Sequence, residues 1–156
     1  MIFKKRPKFD SSINCEGEML PLPSMSGIGE ATLKKKAAIN PLPKILDEFL
    51  KKSEIGFWLI SDCEFNNWNY HGDNIEEINN SVDKYIVSEN ELIQLVKPKY
   101  IEKMIGFIAP DQVVLVGFKK NLEDFDDVNI QKEWDSGNVV VFVECIDSSV
   151  CKVCCR

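Results

Sequence analysis

Between positions 45 and 50, Ile45, Leu46, Phe49 and Leu50 recur at i, i+1, i+4 and i+5, the stripe of an amphipathic helix. Pro41 and Pro43 suit the approach to a first helical turn, so the pattern predicts a helix over 44–53, ended by Gly56. Residues 57–61 (FWLIS) then form an unbroken apolar run, the pattern of a buried strand. The runs 105–109, 112–118 and 139–145, rich in Val, Ile and Phe, read as three more strands. Pro110-Asp111 is a tight connection and makes the first two of these a hairpin, while Ser136-Gly137-Asn138 turns the chain into the last.

Polar signals place the remaining elements. Asn74 can cap a helix carrying Ile75, Ile78, Val82 and Tyr85, with Glu76 and Glu77 near its positive end. Ser88-Glu89-Asn90-Glu91 is a capping box, and Val87 with Leu92 supplies a hydrophobic staple; together they predict a short helix from 89 to about 96, stopped before Pro98. Residues 62–73 mix Phe65, Trp68, Tyr70 and His71 with Asn66, Asn67 and Asn69, and read either as an irregular loop or as an amphipathic edge strand. The stretch 20–30 (LPLPSMSGIGE) is too rich in Pro and Gly for a regular element and reads as a loop or arm. Residues 123–127 begin a long loop or a short helix.

Helices in the first two-thirds and strands in the last third predict an α+β fold: a mainly antiparallel sheet with helices packed on one face, in a single domain. The hairpin argues against a doubly wound parallel sheet. The expected organisation is a basic arm or loop over 1–40 packed on the domain, an α+β core over 41–150, and a Cys-rich tail over 151–156. A chain of 156 residues has the size of one domain, and 44% apolar content with nine Phe and three Trp supplies a core.

Charge changes the picture more than composition does. The chain carries 19 basic and 25 acidic residues, net −6, and they are unevenly spread. Residues 1–52 hold ten Lys and Arg against six acids; residues 53–156 hold nine against nineteen. Within 53–96, Lys84 stands against nine acids, and within 121–147, Lys132 stands against eight. Two acidic stretches predict a negative face that repels nucleic acid and anionic membrane and attracts basic proteins or metal cations.

No window approaches the roughly 18 apolar residues of a membrane span. Lys4, Lys5, Arg6 and Lys8 are not followed by the apolar stretch of a secretory signal, so the expected location is the cytoplasm, a reducing compartment. The six cysteines are accordingly expected as thiols, Cys145 as a small hydrophobe within a strand. In the tail, Cys151, Cys154 and Cys155 contain a C-x-x-C spacing. One such pair lacks the second that a structural zinc needs, and it does not start a helix as a redox motif does. Tandem C-terminal cysteines can be lipidated, but Arg156 departs from the C-a-a-X pattern. The tail is therefore expected to be frayed, reduced and dispensable, and no metal or cofactor is expected.

His71 is the only histidine, with Cys63 eight residues before it and Asp73 two after, yet no nucleophile signature surrounds Cys63. An exposed loop histidine is the plainer reading, and no catalytic residue is assigned. SMSGIGEATLKKK, with Gly27-Ile28-Gly29, resembles the hairpin of helix-hairpin-helix DNA-binding motifs, which implies a phosphate contact by backbone N–H groups. It departs from that pattern at Pro21 and Pro23, which forbid the preceding helix, and at Leu33, where a small residue is usual. A Walker loop is absent, since Gly-Lys-[Ser/Thr] is missing.

Trp68 and Tyr70 ringed by carboxylates have the composition of a hot spot for a basic partner, although core packing is the commoner role for Trp58 and Phe65. The expected partner-binding residues are Asp62, Glu64, Trp68, Tyr70, Asp73, Glu76, Glu77, Asp124, Asp126 and Asp127. The expected function is that of a small acidic binding protein, not an enzyme. Its most concrete form is a bacterial immunity-type inhibitor that neutralises a basic toxin such as a nuclease; no membrane partner is expected, and nucleic acid is disfavoured as one. The alternatives are an enzyme with a scattered site around Cys63, His71 and nearby carboxylates, a nucleic-acid-associated accessory protein using the N-terminal basic arm and the Gly27–Gly29 turn, and a structural or chaperone-like component of a larger assembly.

Overall fold

The computed structural model describes residues 3–4, 8–10, 12–21, 42–52, 54–62, 83–86, 92–105, 113–122, 127–146 and 150–156. Their strands are β1 (Phe3–Lys4), β2 (Lys8–Asp10), β3 (Glu18–Pro21), β4 (Phe57–Asp62), β5 (Asp83–Ile86), β6 (Leu92–Val96), β7 (Val113–Phe118), β8 (Asp127–Asn129), β9 (Val139–Ile146) and β10 (Val150–Cys155). Three helices are described: α1 (Leu42–Leu50), α2 (Pro98–Ile105) and α3 (Ile130–Asp135).

Eight strands form one sheet in the order β1-β5-β6-β4-β7-β9-β10-β3, and β2 pairs with β8 in a separate two-stranded ribbon. Every pairing in the large sheet is antiparallel except β1 with β5. The fold is thus mixed α+β with a mainly antiparallel sheet. β4 lies between β6 and β7, and Phe57, Trp58, Leu59, Ile60 and Ser61 are all buried, which explains its unbroken apolar run. Phe57 and Phe118 are register partners, and their rings stack 4.8 Å apart. Between β7 and β9 the register slips at Gly117 and Phe118, which pair with Val141 and Val139. That slip leaves Val140 as the extra residue of a bulge.

The sheet buries both faces. On one, Trp58, Ile60, Leu115, Val141 and Val143 pack with Leu46 and Leu50 of α1 and with Tyr100, Ile101 and Ile105 of α2. On the other, Leu59, Ile93, Val116, Phe118 and Phe142 pack with Val128 of β8 and Ile130 of α3. Residues of α1 and α2 thus belong to one cluster and Ile130 of α3 to the other. Lys51 joins the first two helices at the surface, 2.7 Å from Asp47 and 3.7 Å from Glu102.

Several elements differ from the sequence expectation. The helix expected over 89–96 is, in its described part, strand β6, hydrogen-bonded on both sides. Tyr85, expected on a helix, lies in β5. Ile105, expected to begin a strand, ends α2, and β7 pairs with β4 and β9; residues 106–112 of the expected hairpin lie outside the described residues. In the expected N-terminal arm, residues 3–4, 8–10 and 18–21 are strands. The expected tail is β10, seated between β9 and β3 with Cys151, Val153 and Cys154 buried. Among the described residues no helix is long and apolar enough to cross a membrane.

Candidate functional site

The β2–β8 ribbon and α3 build a polar groove over the second face of the sheet. Strand alternation turns Val128 into the core and leaves Asp127 and Asn129 exposed on the other side. Parallel pairing sets Asp10 beside Asn129 and Lys8 beside Asp127. Asn129 is also the N-cap of α3, its Oδ1 accepting the Lys132 amide at 2.9 Å. The helix ends at a tight turn in which Gly137 takes φ 82°, a left-handed conformation that favours glycine. The buried Asn138 follows, its amide donating to Glu133 Oε2 at 2.8 Å and its Oδ1 accepting the Lys120 N–H at 3.0 Å.

The groove encloses about 650 Å³ and opens broadly to solvent. Asp10, Ser12 and Asn14 line one wall, and Asn129, Gln131, Lys132 and Asp135 the other. The half-buried Ile13 also lines it and packs on the core below. Hydrogen bonds fix both walls. The Ser12 amide donates to Asp10 Oδ1 at 3.0 Å, and the Ser12 hydroxyl donates to the same oxygen. These two bonds hold the Asp10 carboxyl below its ordinary value, so it stays ionised. Across the groove, the Asn14 amide donates to Gln131 Oε1 at 2.6 Å, and Gln131 Nε2 donates to Asp135 Oδ1 at 2.9 Å. Asp10 and Asp135 in the lining face one lining cation, Lys132, and on the flanking strand Asp127 has Lys8 as its register partner.

Of the residues expected to bind a partner, Asp127 is exposed at the start of β8 beside this groove, and Asp62 ends β4. Glu64, Trp68, Tyr70, Asp73, Glu76, Glu77, Asp124 and Asp126 lie outside the described residues, as do Cys63, His71 and the Gly27–Gly29 turn. The structure adds Asp10, Ser12, Asn14, Gln131 and Asp135, which the sequence reading did not single out. Asn129 preceding an apolar residue, with Glu133 four positions on, was the one local signal for α3.

The cysteines depart from the expected set of free thiols. Cys145 and Cys151 are register partners on β9 and β10 and form a disulfide, with Cα atoms 4.1 Å apart. Cys15 and Cys154 form a second, with Cα atoms 6.4 Å apart and 139 positions between them in sequence. The two bonds lie on opposite faces of the sheet, Cys151 with the α1 and α2 cluster and Cys154 with the α3 cluster. That separation keeps the four sulfurs from converging on one metal. Among the described residues no three His, Cys, Asp or Glu are grouped to hold a metal ion. Cys155 is a free, exposed thiol beside Lys52, whose ammonium is held above its ordinary value mainly by the hydrogen bond to that sulfur.

No family model, no curated protein and no solved structure matches this chain. The groove is an open surface whose lining carries two carboxylates, Asp10 and Asp135, and one cation, Lys132.

Proposed function

We propose that this chain is a small acidic binding protein that captures a basic protein partner. In its most concrete form it is an immunity-type inhibitor that occupies a cationic toxin, such as a nuclease, in the cytoplasm of the cell that makes it. The observation that carries this reading is the position of Asp127. This member of the acidic stretch 121–147 stands exposed beside a groove lined by Asp135 of the same stretch and by Asp10, which comes from more than a hundred positions away. Carboxylates fixed on hydrogen-bonded walls lose little freedom on meeting a Lys or Arg side chain, and their field steers the encounter. The excess of acids over bases in residues 53–156 extends that field beyond the groove.

The test is the kinetics of binding to a decalysine peptide, with a decaglutamate peptide as control. Association should slow steeply between about 0.02 and 0.5 M salt while dissociation changes much less. Joint reversal of Asp10, Asp127 and Asp135 to Lys should cut the association rate about tenfold or more and leave the fold intact, because exposed carboxylates contribute little to stability. Association indifferent to both salt and charge reversal would exclude electrostatic capture at this groove.

A further inference from the structure

Three ties hold the groove wall formed by residues 12–14. The β2–β8 pairing ends beside it at Asp10 and Asn129, the Asn14 amide bonds Gln131, and Cys15 is linked to Cys154 of β10. Gly17 continues the same segment against β10. A Cβ there would come within 2.9 Å of both Cys154 Sγ and the Val153 carbonyl oxygen, so the close approach demands glycine. Of the three ties only the disulfide is covalent. It also differs from the other cystine in access: Cys154 is fully buried but Cys15 is only half-buried, whereas both Cys145 and Cys151 are buried within the sheet. A dissolved thiolate can therefore approach the first bond from the Cys15 side, whereas the second is covered on both sides.

We propose that Cys15–Cys154 is a redox latch on the groove: closed, it fixes the wall for partner binding, and open, it releases it. This rests on the reading of the groove as the binding face. Closing the latch oxidises two thiols. The Cys15 and Cys154 sulfurs join, and their two electrons and two protons pass to a disulfide-bearing oxidant such as oxidised glutathione, whose own S–S bond breaks into two thiols. In a reducing cytoplasm the latch stands open and capture is the weaker of its two settings; capture tightens there when such an oxidant accumulates and the latch closes.

The full chain is equilibrated with oxidised or reduced glutathione, and three readouts are taken: differential alkylation, backbone hydrogen exchange, and decalysine binding. With oxidised glutathione, Cys15 and Cys154 should resist alkylation. With rising reduced glutathione that pair should become reactive before Cys145 and Cys151, exchange over residues 12–17 should accelerate about tenfold while β7 and β9 keep their protection, and decalysine should dissociate several-fold faster. The half-buried substitution Cys15→Ser should reproduce the open state under oxidising conditions. Alkylation of Cys15 in oxidised glutathione, or exchange over 12–17 unchanged by reduction, overturns the latch. So does decalysine that binds both redox states with the same dissociation rate. If decalysine binds neither state while exchange responds to reduction, the latch stands and the basic-partner reading fails.

Discussion

Gln94 of β6 stands opposite Ile60 of β4, with both ends of its carboxamide buried and without a hydrogen-bond partner. Ile60 belongs to the face covered by α1 and α2, and so does Trp58, two positions away, whose indole N–H is likewise buried and unpaired. An unsatisfied buried polar group costs about 1–3 kcal/mol, whereas an apolar side chain of similar size at the same place costs nothing in hydrogen bonds. Gln94→Leu is therefore expected to raise the melting temperature, by roughly 2–6 °C in a domain of this size. Thermal unfolding followed by circular dichroism measures it. A fall of similar size would mean that a bridging water or small polar ligand satisfies Gln94 in solution.

The two disulfides should differ in what they contribute. Cys15–Cys154 spans 139 positions and Cys145–Cys151 spans six, so cross-linking removes far more freedom from the unfolded chain in the first case. The chain-entropy estimate puts that difference at about 3 kcal/mol. In denaturant titrations under oxidising conditions, Cys15→Ser is expected to lower the unfolding free energy by more than Cys145→Ala. Equal losses would show that the buried sulfur packing at Cys145, not loop closure, sets the scale.

Aliphatic runs were the most legible part of this sequence. The described parts of the strands expected over 57–61, 112–118 and 139–145 are β4, β7 and β9, and most of the helix expected over 44–53 is α1. Local caps misled where sheet pairing outweighed them: the Ser88 box and the Leu92 staple favour a helix, yet Leu92–Val96 fills a slot between β4 and β5. Pro98 reads as a stop but is the first residue of α2, where its missing N–H costs nothing. In β10 the cysteines drew attention to their chemistry and away from strand periodicity. The groove was nearly illegible, because β2 meets β8 across more than a hundred residues, and no periodicity within either strand announces its partner.

The Asp10–Ser12 turn gives a pH dependence with a definite sign. The folded carboxyl titrates below its ordinary 3.8 because the Ser12 hydroxyl and amide bond its ionised form. Its contribution is complete above 3.8 and is lost as pH falls below 3.8 through the lower folded value. The group is exposed, so the effect on global stability is small and is best read locally. In a carbon-detected NMR titration, Asp10 should titrate below pH 3.8 in the native chain and return toward that value in Ser12→Ala. An Asp10 midpoint unmoved by Ser12→Ala would show that the turn does not form in solution.

Residues 151–156 should prove indispensable, against the expectation of a frayed tail. β10 pairs along its whole length with β9 and holds β3 on its far side, so its removal exposes the edge of β9 and detaches Glu18–Pro21. It also removes one partner of each disulfide and the buried side chains of Cys151, Val153 and Cys154. Arg156 is anchored too: its guanidinium lies 4.3 Å from the centre of the Trp134 ring, its Nη2 donates to the Trp134 carbonyl at 2.5 Å, and its own carbonyl accepts from Lys52 Nζ at 3.0 Å. Losing three buried side chains at about 1.5–3 kcal/mol each, besides the ladder bonds, approaches the whole stability of an ordinary domain. Deletion of 151–156 should accordingly abolish the cooperative thermal transition, and Arg156→Ala should lower its midpoint by only about 2–4 °C through the lost cation–π contact. The two variants are compared by calorimetry. A truncated chain that melts cooperatively near the native temperature would show that β10 is not part of the stable sheet.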